Sequence, residues 1–118
     1  MNLNVIGLAW HVGRVAHPGY DLQKQTGQPV PGPSATAARD GHFHALPRKP
    51  GDITPMAIKD LGTISEEYAH ATRNAKKAEF GRVELHIANG YLRNQFVENH
   101  SNKRKDKYGG SVENRTYI

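Results

Sequence analysis

Three side chains that could act together on a carbonyl group lie close in the sequence, at His86, Asn89 and Tyr91. We expect His86 at the end of a strand and Asn89 at the following turn, above the carboxyl edge of a parallel sheet, where α/β folds place their sites. Two neutral donors there could hold one carbonyl oxygen and stabilise the negative charge that it gains when a conjugated carbon is attacked. Tyr91 adds an O–H group that could donate a proton. Taken alone, the same three residues would also suit an ordinary turn.

The elements that must position this group are two strands and a helix. Residues 4–10 form a short, almost continuously apolar run, as in a strand covered on both faces. Apolar residues recur at helical spacing along residues 64–78, and a strand over residues 82–87 follows. This order predicts two parallel strands joined by a crossover helix. Alternation then puts Glu84 and His86 on the face away from the helix, which is the lumen in a barrel, and a buried Glu84 would need a partner.

Capping residues set the predicted ends of the long helix. Thr63 or Ser65 can accept the free amide hydrogens of its first turn, and Gly81 can supply a left-handed stop. These signals agree with the periodicity and favour a helix of about four turns.

The other segments carry weaker signals. Residues 11–62 are rich in proline and lack sustained periodicity, which predicts a long loop of the kind that often forms a lid or a binding loop. Residues 91–97 suit a short helix, and residues 98–110 suit a polar loop. Ser111 can cap a last helix that would continue to the chain end.

Composition and charge limit the function classes. The chain has 118 residues, 36% of them hydrophobic, which allows one small domain at most. Its net charge is +5, and a basic run in the predicted polar loop raises the alternative of a nucleic-acid-binding module; the run consists of Lys103, Arg104, Lys105 and Lys107. Because no interleaved aromatic residues or nucleic-acid-binding motif accompany the run, we favour a solvated loop and no nucleic-acid partner.

Two further classes of site are disfavoured. The chain has no cysteine and no apolar stretch long enough to cross a bilayer, so we expect a cytoplasmic protein without a membrane partner. His42 and His44 are one residue apart, but no set of histidines has the spacing of a metal site, and we expect no metal.

Three longer segments resemble the old yellow enzymes, in that family's order. They are WHVGRVAHP at residues 10–18, VELHIANGYLRNQF at 83–96 and SNKRKDKYGGSVENR at 101–115. Pro47-Arg48 and residues 71–78 also fall where the family's intervening segment would put them. Together these matches extend over nearly the whole chain, so they are far more specific than any short motif.

The resemblance implies a fold and a reaction. The fold is an α/β, eight-stranded (β/α) barrel, and residues 1–118 would be a central fragment of this FMN-binding domain, covering about two strands and their connecting helices. The reaction is the reduction of the C=C bond of an enone or another activated alkene, with FMN as the cofactor and NADPH as its reductant. His86 and Asn89 match the pair that binds the substrate's carbonyl oxygen, and His86 also lies at the cofactor. Tyr91 matches the proton donor to the α-carbon, and Trp10 matches an aromatic residue of the active-site wall.

Three departures from the family pattern shape what we expect of this chain. Leu8 stands where the family has a glutamine that hydrogen-bonds the flavin ring. The segment Glu79-Phe80-Gly81-Arg82 replaces the family's Gly-Phe-Asp-Gly, which puts a long cation at Arg82 where a small residue allows a close turn. A barrel of this kind also needs roughly 250 residues, so we predict that the isolated chain neither holds FMN tightly nor turns over.

Three functional hypotheses follow. The first is an FMN- and NADPH-dependent ene-reductase, or a piece of one. The second is a truncated, non-catalytic fragment that completes its fold with a partner chain. The third is the basic nucleic-acid-binding module. For the isolated chain, the second hypothesis ranks above the first.

Overall fold

The computed structural model describes residues 5–39 and 53–118, arranged as two compact units. The sheet unit comprises Met1–His11 and Lys59–His86, and the loop unit comprises Val12–Ile58 and Ile87–Ile118. In chain order the elements are β1 (Ile6–Ala9), a 3-10 helix (Gly13–Val15), α1 (Asp21–Thr26), β2 (Pro31–Gly32), β3 (Met56–Ala57), α2 (Leu61–Lys77), β4 (Arg82–Leu85), α3 (Leu92–Val97) and α4 (Val112–Arg115).

The sheet unit is the predicted strand, helix and strand. β1 pairs with β4 in parallel, with Ile6 opposite Arg82 and Ala9 opposite Leu85. α2 connects the two strands and packs against both of them. Ile64 and Tyr68 are the predicted apolar positions of α2 that become buried. The predicted parallel pairing of the two strands is therefore confirmed.

The two ends of α2 differ from the sequence prediction. Asp60 caps the helix, and its Oδ1 accepts from the Gly62 amide at 2.8 Å, so the prediction of Thr63 or Ser65 as the cap is wrong. An aspartate immediately before the first turn competes better for these free amides than a residue inside the helix does. At the other end Glu79, with φ 62°, takes the left-handed conformation that was predicted for Gly81. The chain thus turns two residues earlier than predicted.

The loop unit contains more regular structure than its sequence indicated. The predicted long loop includes the 3-10 helix, α1, β2 and β3, and β2 pairs with β3 in parallel. These elements are two to six residues long, too short to produce a recognisable period. Leu92 and Phe96 of α3 form the most deeply buried apolar pair.

Residues 98–110 are hydrogen-bonded to other segments of the loop unit, so the prediction of a solvated loop is only partly correct. Arg104 Nη1 donates to Pro33 O at 3.1 Å and to Ile58 O at 2.7 Å, and its guanidinium also pairs with Asp106. Ser111 caps α4 as predicted, because its Oγ accepts from the Asn114 amide. α4 ends at Arg115, three residues earlier than predicted.

Candidate functional site

Three residues that the sequence analysis assigned to a site lie on the exposed face of the β1–β4 pair. The register places Leu8 opposite Glu84. The His86 amide donates to Ala9 O at 2.9 Å, which continues the parallel ladder and places Trp10 opposite His86. Since side chains alternate along a strand, Leu8, Trp10, Glu84 and His86 share one face.

This shared face is the one that α2 does not cover. Gly7, on the other face, is so close to α2 and the segment after it that an added Cβ would meet the Phe80 ring at 3.2 Å and Ala75 Cβ at 3.7 Å. Val83, opposite Gly7, lines the same cavity as the alanines of α2. The prediction that Glu84 and His86 point away from the helix is therefore supported by the register.

The first strand is covered on one face only, in contrast to the prediction. Ile6 is 53% exposed, Leu8 56% and Trp10 54%. Among the described residues, the sheet of this unit has two strands and one helix, and these leave its second face open. Glu84 is also exposed, so it does not need the buried partner that a lumen position would have required.

Asn89 and Tyr91 lie in the loop unit, on the turn that leads into α3. Asn89 has φ 58° and Gly90 has φ 75°, so two consecutive residues adopt the left-handed conformation. Asparagine is one of the few residues other than glycine that visits this region routinely. Tyr91 is the half-buried N-cap of α3, and its carbonyl accepts from the Gln95 amide at 2.8 Å. The predicted turn and the predicted short helix are both confirmed.

Gln95 is the residue of this region that sequence reasoning missed. Its side chain is 1% exposed and lies between Leu92 and Phe96 on the buried side of α3. Its Nε2 donates to Gly90 O and to Val12 O, and its Oε1 accepts from the Arg14 amide. The sequence carried one signal of this role. Gln95 lies three positions after Leu92 and next to Phe96, so it falls on the apolar face of the helix, where a buried amide needs hydrogen-bond partners.

Burial changes the pKa of one basic side chain in each unit. Burial lowers the pKa of His11 in the sheet unit below its usual value, and the Glu67 carboxylate opposes part of that shift. Burial also lowers the pKa of Arg14 in the loop unit. Arg14 Nη1 donates to Thr36 O at 3.0 Å and to Ala37 O at 3.3 Å, which secures the segment that follows β2.

The predicted site residues thus fall into two groups. His86, Trp10 and Leu8 share the open face of the sheet unit, and Asn89 with Tyr91 occupies the turn of the loop unit. The convergence of His86, Asn89 and Tyr91 on one substrate stays a prediction.

Among residues 5–39 and 53–118, no group of three or more histidines and carboxylates is arranged to hold a metal ion. His42 and His44, like Pro47 and Arg48, lie outside the described residues. No helix in the described part of the chain is long and apolar enough to cross a membrane.

Comparison with known proteins decides the family. Residues 5–117 match the model of the NADH:flavin oxidoreductase / NADH oxidase family. The chain belongs to this family, whose members are FMN-dependent. The match covers both compact units and all the predicted site residues.

Individual relatives agree with this assignment. The chain is 40% identical over 111 residues to a flavin oxidoreductase of Emericella nidulans, covering 92% of this chain and 27% of the relative. It is 38% identical over 112 residues to 12-oxophytodienoate reductase 2 of Arabidopsis thaliana, covering 90% of this chain and 28% of the relative.

A solved structure extends the agreement to the fold. Morphinone reductase in complex with tetrahydroNAD aligns with a TM-score of 0.79 and 39% identity, covering 92% of this chain and 31% of that one. The chain therefore spans less than a third of the length of these relatives. Its fold is part of a (β/α)8 barrel, as predicted, and not a closed one.

Proposed function

We propose that this chain forms the substrate-binding end of an old yellow enzyme that reduces the C=C bond of α,β-unsaturated carbonyl compounds with NADPH. The observation that carries the proposal is the hydrogen bond from the His86 amide to Ala9 O, which continues the parallel ladder toward Trp10 and His86 at the carboxyl end of the two strands. In (β/α) barrels this end of the strands is where catalytic residues are found. The cytoplasm stays our predicted location.

The proposed roles follow from the chemistry of the side chains. His86 and Asn89 donate hydrogen bonds to the carbonyl oxygen of the substrate. Reduction at the β-carbon moves negative charge onto that oxygen, so donors placed there bind the transition state more tightly than the ground state. Tyr91 then donates its phenolic proton to the α-carbon. Trp10 provides an exposed aromatic wall for a planar substrate.

FMN, which supplies the hydride when bound, fits the described residues at its edge. The exposed side chains of Leu8 and Trp10 present apolar surface to a flat ring, and His86 adds a polar group beside them. Leu8, however, can neither donate nor accept a hydrogen bond, so the contact made by the family's glutamine is lost. We infer that the chain contacts the ring and holds it weakly.

The relatives support the choice of reductant and substrate class. Morphinone reductase has been solved with tetrahydroNAD, which supports a nicotinamide as the electron source. A second relative is named as a 12-oxophytodienoate reductase, which supports a substrate that carries an oxo group. NADPH and a small enone are the specific forms that we propose.

The chain has one tryptophan, Trp10, and it lies across the strand pair from His86. Its fluorescence therefore provides a direct test. Quenching of its fluorescence should report binding of FMN and of 2-cyclohexenone, a small enone. We expect His86→Ala to weaken enone binding about tenfold, the cost of one well-placed hydrogen bond. His100→Ala, an exposed histidine elsewhere, is the matched control and should bind as the wild type does. Equal enone affinity in both variants would remove the role of His86.

A second test addresses the proton donor. In a full-length enzyme that carries residues 1–118 and binds FMN, Tyr91→Phe should slow alkene reduction about 100-fold, because it removes a positioned general acid. Reduction of the flavin by NADPH should stay within twofold of wild type. Tyr117→Phe, at an exposed tyrosine, should change neither rate. Unchanged alkene reduction in the Tyr91 variant would assign the proton to another donor.

A partner-dependent fragment is the second candidate, and the open face of the sheet unit favours it. The strands in such a pair have unpaired outer edges and one bare face, a poor basis for an independent fold. Under this hypothesis the chain carries no flavin absorbance after purification and sediments as a larger species. A monomer that retains yellow flavin would exclude it.

A further inference from the structure

The amide of Gln95 connects two separate segments of the loop unit. Nε2 donates to Gly90 O at 2.6 Å and to Val12 O at 3.1 Å, and Oε1 accepts from the Arg14 amide at 3.0 Å. One buried side chain therefore ties the turn before α3 to the segment at residues 12–14, more than 80 residues away in sequence.

The turn that Gln95 holds is conformationally demanding. Asn89 and Gly90 both have positive φ values, and a left-handed residue other than glycine is disfavoured unless its surroundings fix it. α3 fixes Gly90 at both of its backbone polar groups. The Gly90 amide donates to Asn94 Oδ1 at 2.7 Å, and the Gly90 carbonyl accepts from Gln95.

Gly13 lies against the Gln95 side-chain amide on its other side. Gly13 has φ 64°, and a Cβ built there would lie closer than 3.0 Å to Gln95 Oε1 and Nε2. Any side chain at position 13 would therefore displace the amide. The backbone of the 3-10 helix and the Gln95 side chain are matched in shape as well as in hydrogen bonding.

We propose that Gln95 is a positioning residue that fixes the turn bearing Asn89 and Tyr91. It touches neither substrate nor cofactor. Its two donated hydrogen bonds hold the carbonyls of Gly90 and Val12 at one amide group. They thereby fix the backbone on each side of Gly90, at Asn89 and Tyr91. The consequence for catalysis rests on the proposed function, whereas the effect on the turn does not.

Gln95→Glu is the sharpest variant, because it keeps the size and the acceptor for Arg14. It replaces the donating Nε2 with an oxygen that faces the carbonyls of Val12 and Gly90; an ionised carboxylate donates to neither carbonyl and a protonated carboxyl to only one, so at least one of the two hydrogen bonds is lost. We expect the amide hydrogens of Gly90 and Tyr91 to exchange with solvent at least tenfold faster, measured by NMR on the whole chain. Exchange within twofold of wild type at both positions would overturn the proposal.

Two controls separate positioning from general destabilisation. Gln25→Glu makes the same chemical change at an exposed glutamine and should alter nothing. Ser101→Ala removes the bonds of a buried hydroxyl to Gln95 O and Glu98 O, at the far end of α3. We expect it to lower overall stability while leaving the relative exchange of Gly90 and Tyr91 unchanged. Faster exchange of the turn in Ser101→Ala than in Gln95→Glu would contradict the assignment.

A measurement on the wild type covers the case in which Gln95→Glu does not fold. The side-chain amide hydrogens of Gln95 should exchange at least tenfold more slowly than those of the exposed Gln25, because they are buried and bonded. Equal exchange of the two side chains would overturn the proposal without any variant.

Ligand binding then tests the link to function. Gln95→Glu should raise the Kd for 2-cyclohexenone about tenfold, whereas Ser101→Ala should leave it within twofold. If the wild type binds no enone, the proposed function fails and the exchange data alone still decide the role of Gln95. If the wild type binds enone and Gln95→Glu binds it equally well, Gln95 does not position the site.

Discussion

The two compact units differ in how deeply they bury their side chains. The largest fully buried side chains in the described part of the chain all lie in the loop unit, among them Phe96, Leu92 and Asn102. The buried apolar residues of the sheet unit, such as Leu61 and Ile64, retain 5% and 7% exposure, and its strands present Ile6 and Leu8 to solvent. The loop unit is closed by its own residues, whereas the sheet unit has one finished face and one open face.

The two units also differ in how their polar side chains are used. In the loop unit, Asn102 Nδ2 donates to Phe96 O and to Tyr108 O, and its Oδ1 accepts from the Arg104 amide. One side chain therefore satisfies three backbone groups, one near the end of α3 and two in the irregular segment that follows it, as buried loops require. The open face of the sheet unit instead carries the proposed site residues Trp10 and His86. Asn89 and Tyr91, the other proposed site residues, belong to the loop unit, so the proposed site residues come from one unit with an open face and one that is closed by its own residues.

Removing a buried ring should produce the largest effect. Phe96→Ala, at 0% exposure, should lower the free energy of unfolding by about 3–5 kcal/mol, because it leaves a cavity in a closed core. Phe80→Ala in the sheet unit, at 39% exposure, should lower it by only about 1–2 kcal/mol. Urea unfolding of the two variants measures the difference. Equal losses would show that the two units are packed alike.

A glycine at the end of α2 should produce a smaller effect of opposite sign. Glu79 takes a left-handed conformation where the family has a glycine, and that conformation costs an L residue roughly 1–2 kcal/mol. Glu79→Gly should therefore stabilise the sheet unit by about 0.5–1 kcal/mol after the greater flexibility of unfolded glycine is counted. Glu67→Gly, inside α2, should destabilise it by about 1 kcal/mol. Thermal unfolding of both variants tests the signs, and a loss of stability in Glu79→Gly would contradict the strain.

The smallest expected difference between the two units is in how their stability depends on pH. Because burial lowers the pKa of His11, the unfolded chain takes up its proton first, and the sheet unit loses stability as the pH falls below about 6.5. Hydrogen bonding to Arg104 lowers the pKa of Asp106, so that pair stabilises the loop unit above about pH 4, and its contribution is lost only in stronger acid. This contribution is at most about 1 kcal/mol, because the Asp106 carboxylate is 46% exposed and is screened by solvent.

Hydrogen-exchange protection factors at stepped pH measure these responses. His11→Asn should remove the step near pH 6.5, and Asp106→Asn should remove the step in acid. A single step shared by both units would show that they respond to acid as one.

Periodicity predicted the sheet unit well, because its signals are long or have a clear alternation. The helix over residues 64–78, the strand at 82–87 and their parallel order all correspond to observed elements. Asp60 and Glu79 were missed, since a cap and a left-handed residue depend on one or two backbone angles that no period encodes. The resemblance to the family drew attention to Arg82 at that turn, but the position under strain is Glu79.

The loop unit could be predicted only in part. The short helix predicted over residues 91–97 and Ser111 as a cap followed from local preferences, although Tyr91 is the N-cap and not the first helical residue. The role of Gln95 did not, because its partners at Val12 and Arg14 are more than 80 residues away. Contacts of that range arise from tertiary packing, which the pattern of one sequence does not record.

We propose that His86, Asn89 and Tyr91 act on one carbonyl compound, and an NMR titration can show whether all three respond to the same ligand. The resonances of all three residues should shift as 2-cyclohexenone is added to the chain, and a single Kd should describe the three curves and the quenching of Trp10. In His86→Ala, the shifts of Asn89 and Tyr91 should require about tenfold more enone. Shifts that saturate at different concentrations, or that leave His86 and Asn89 unmoved, would contradict a common site.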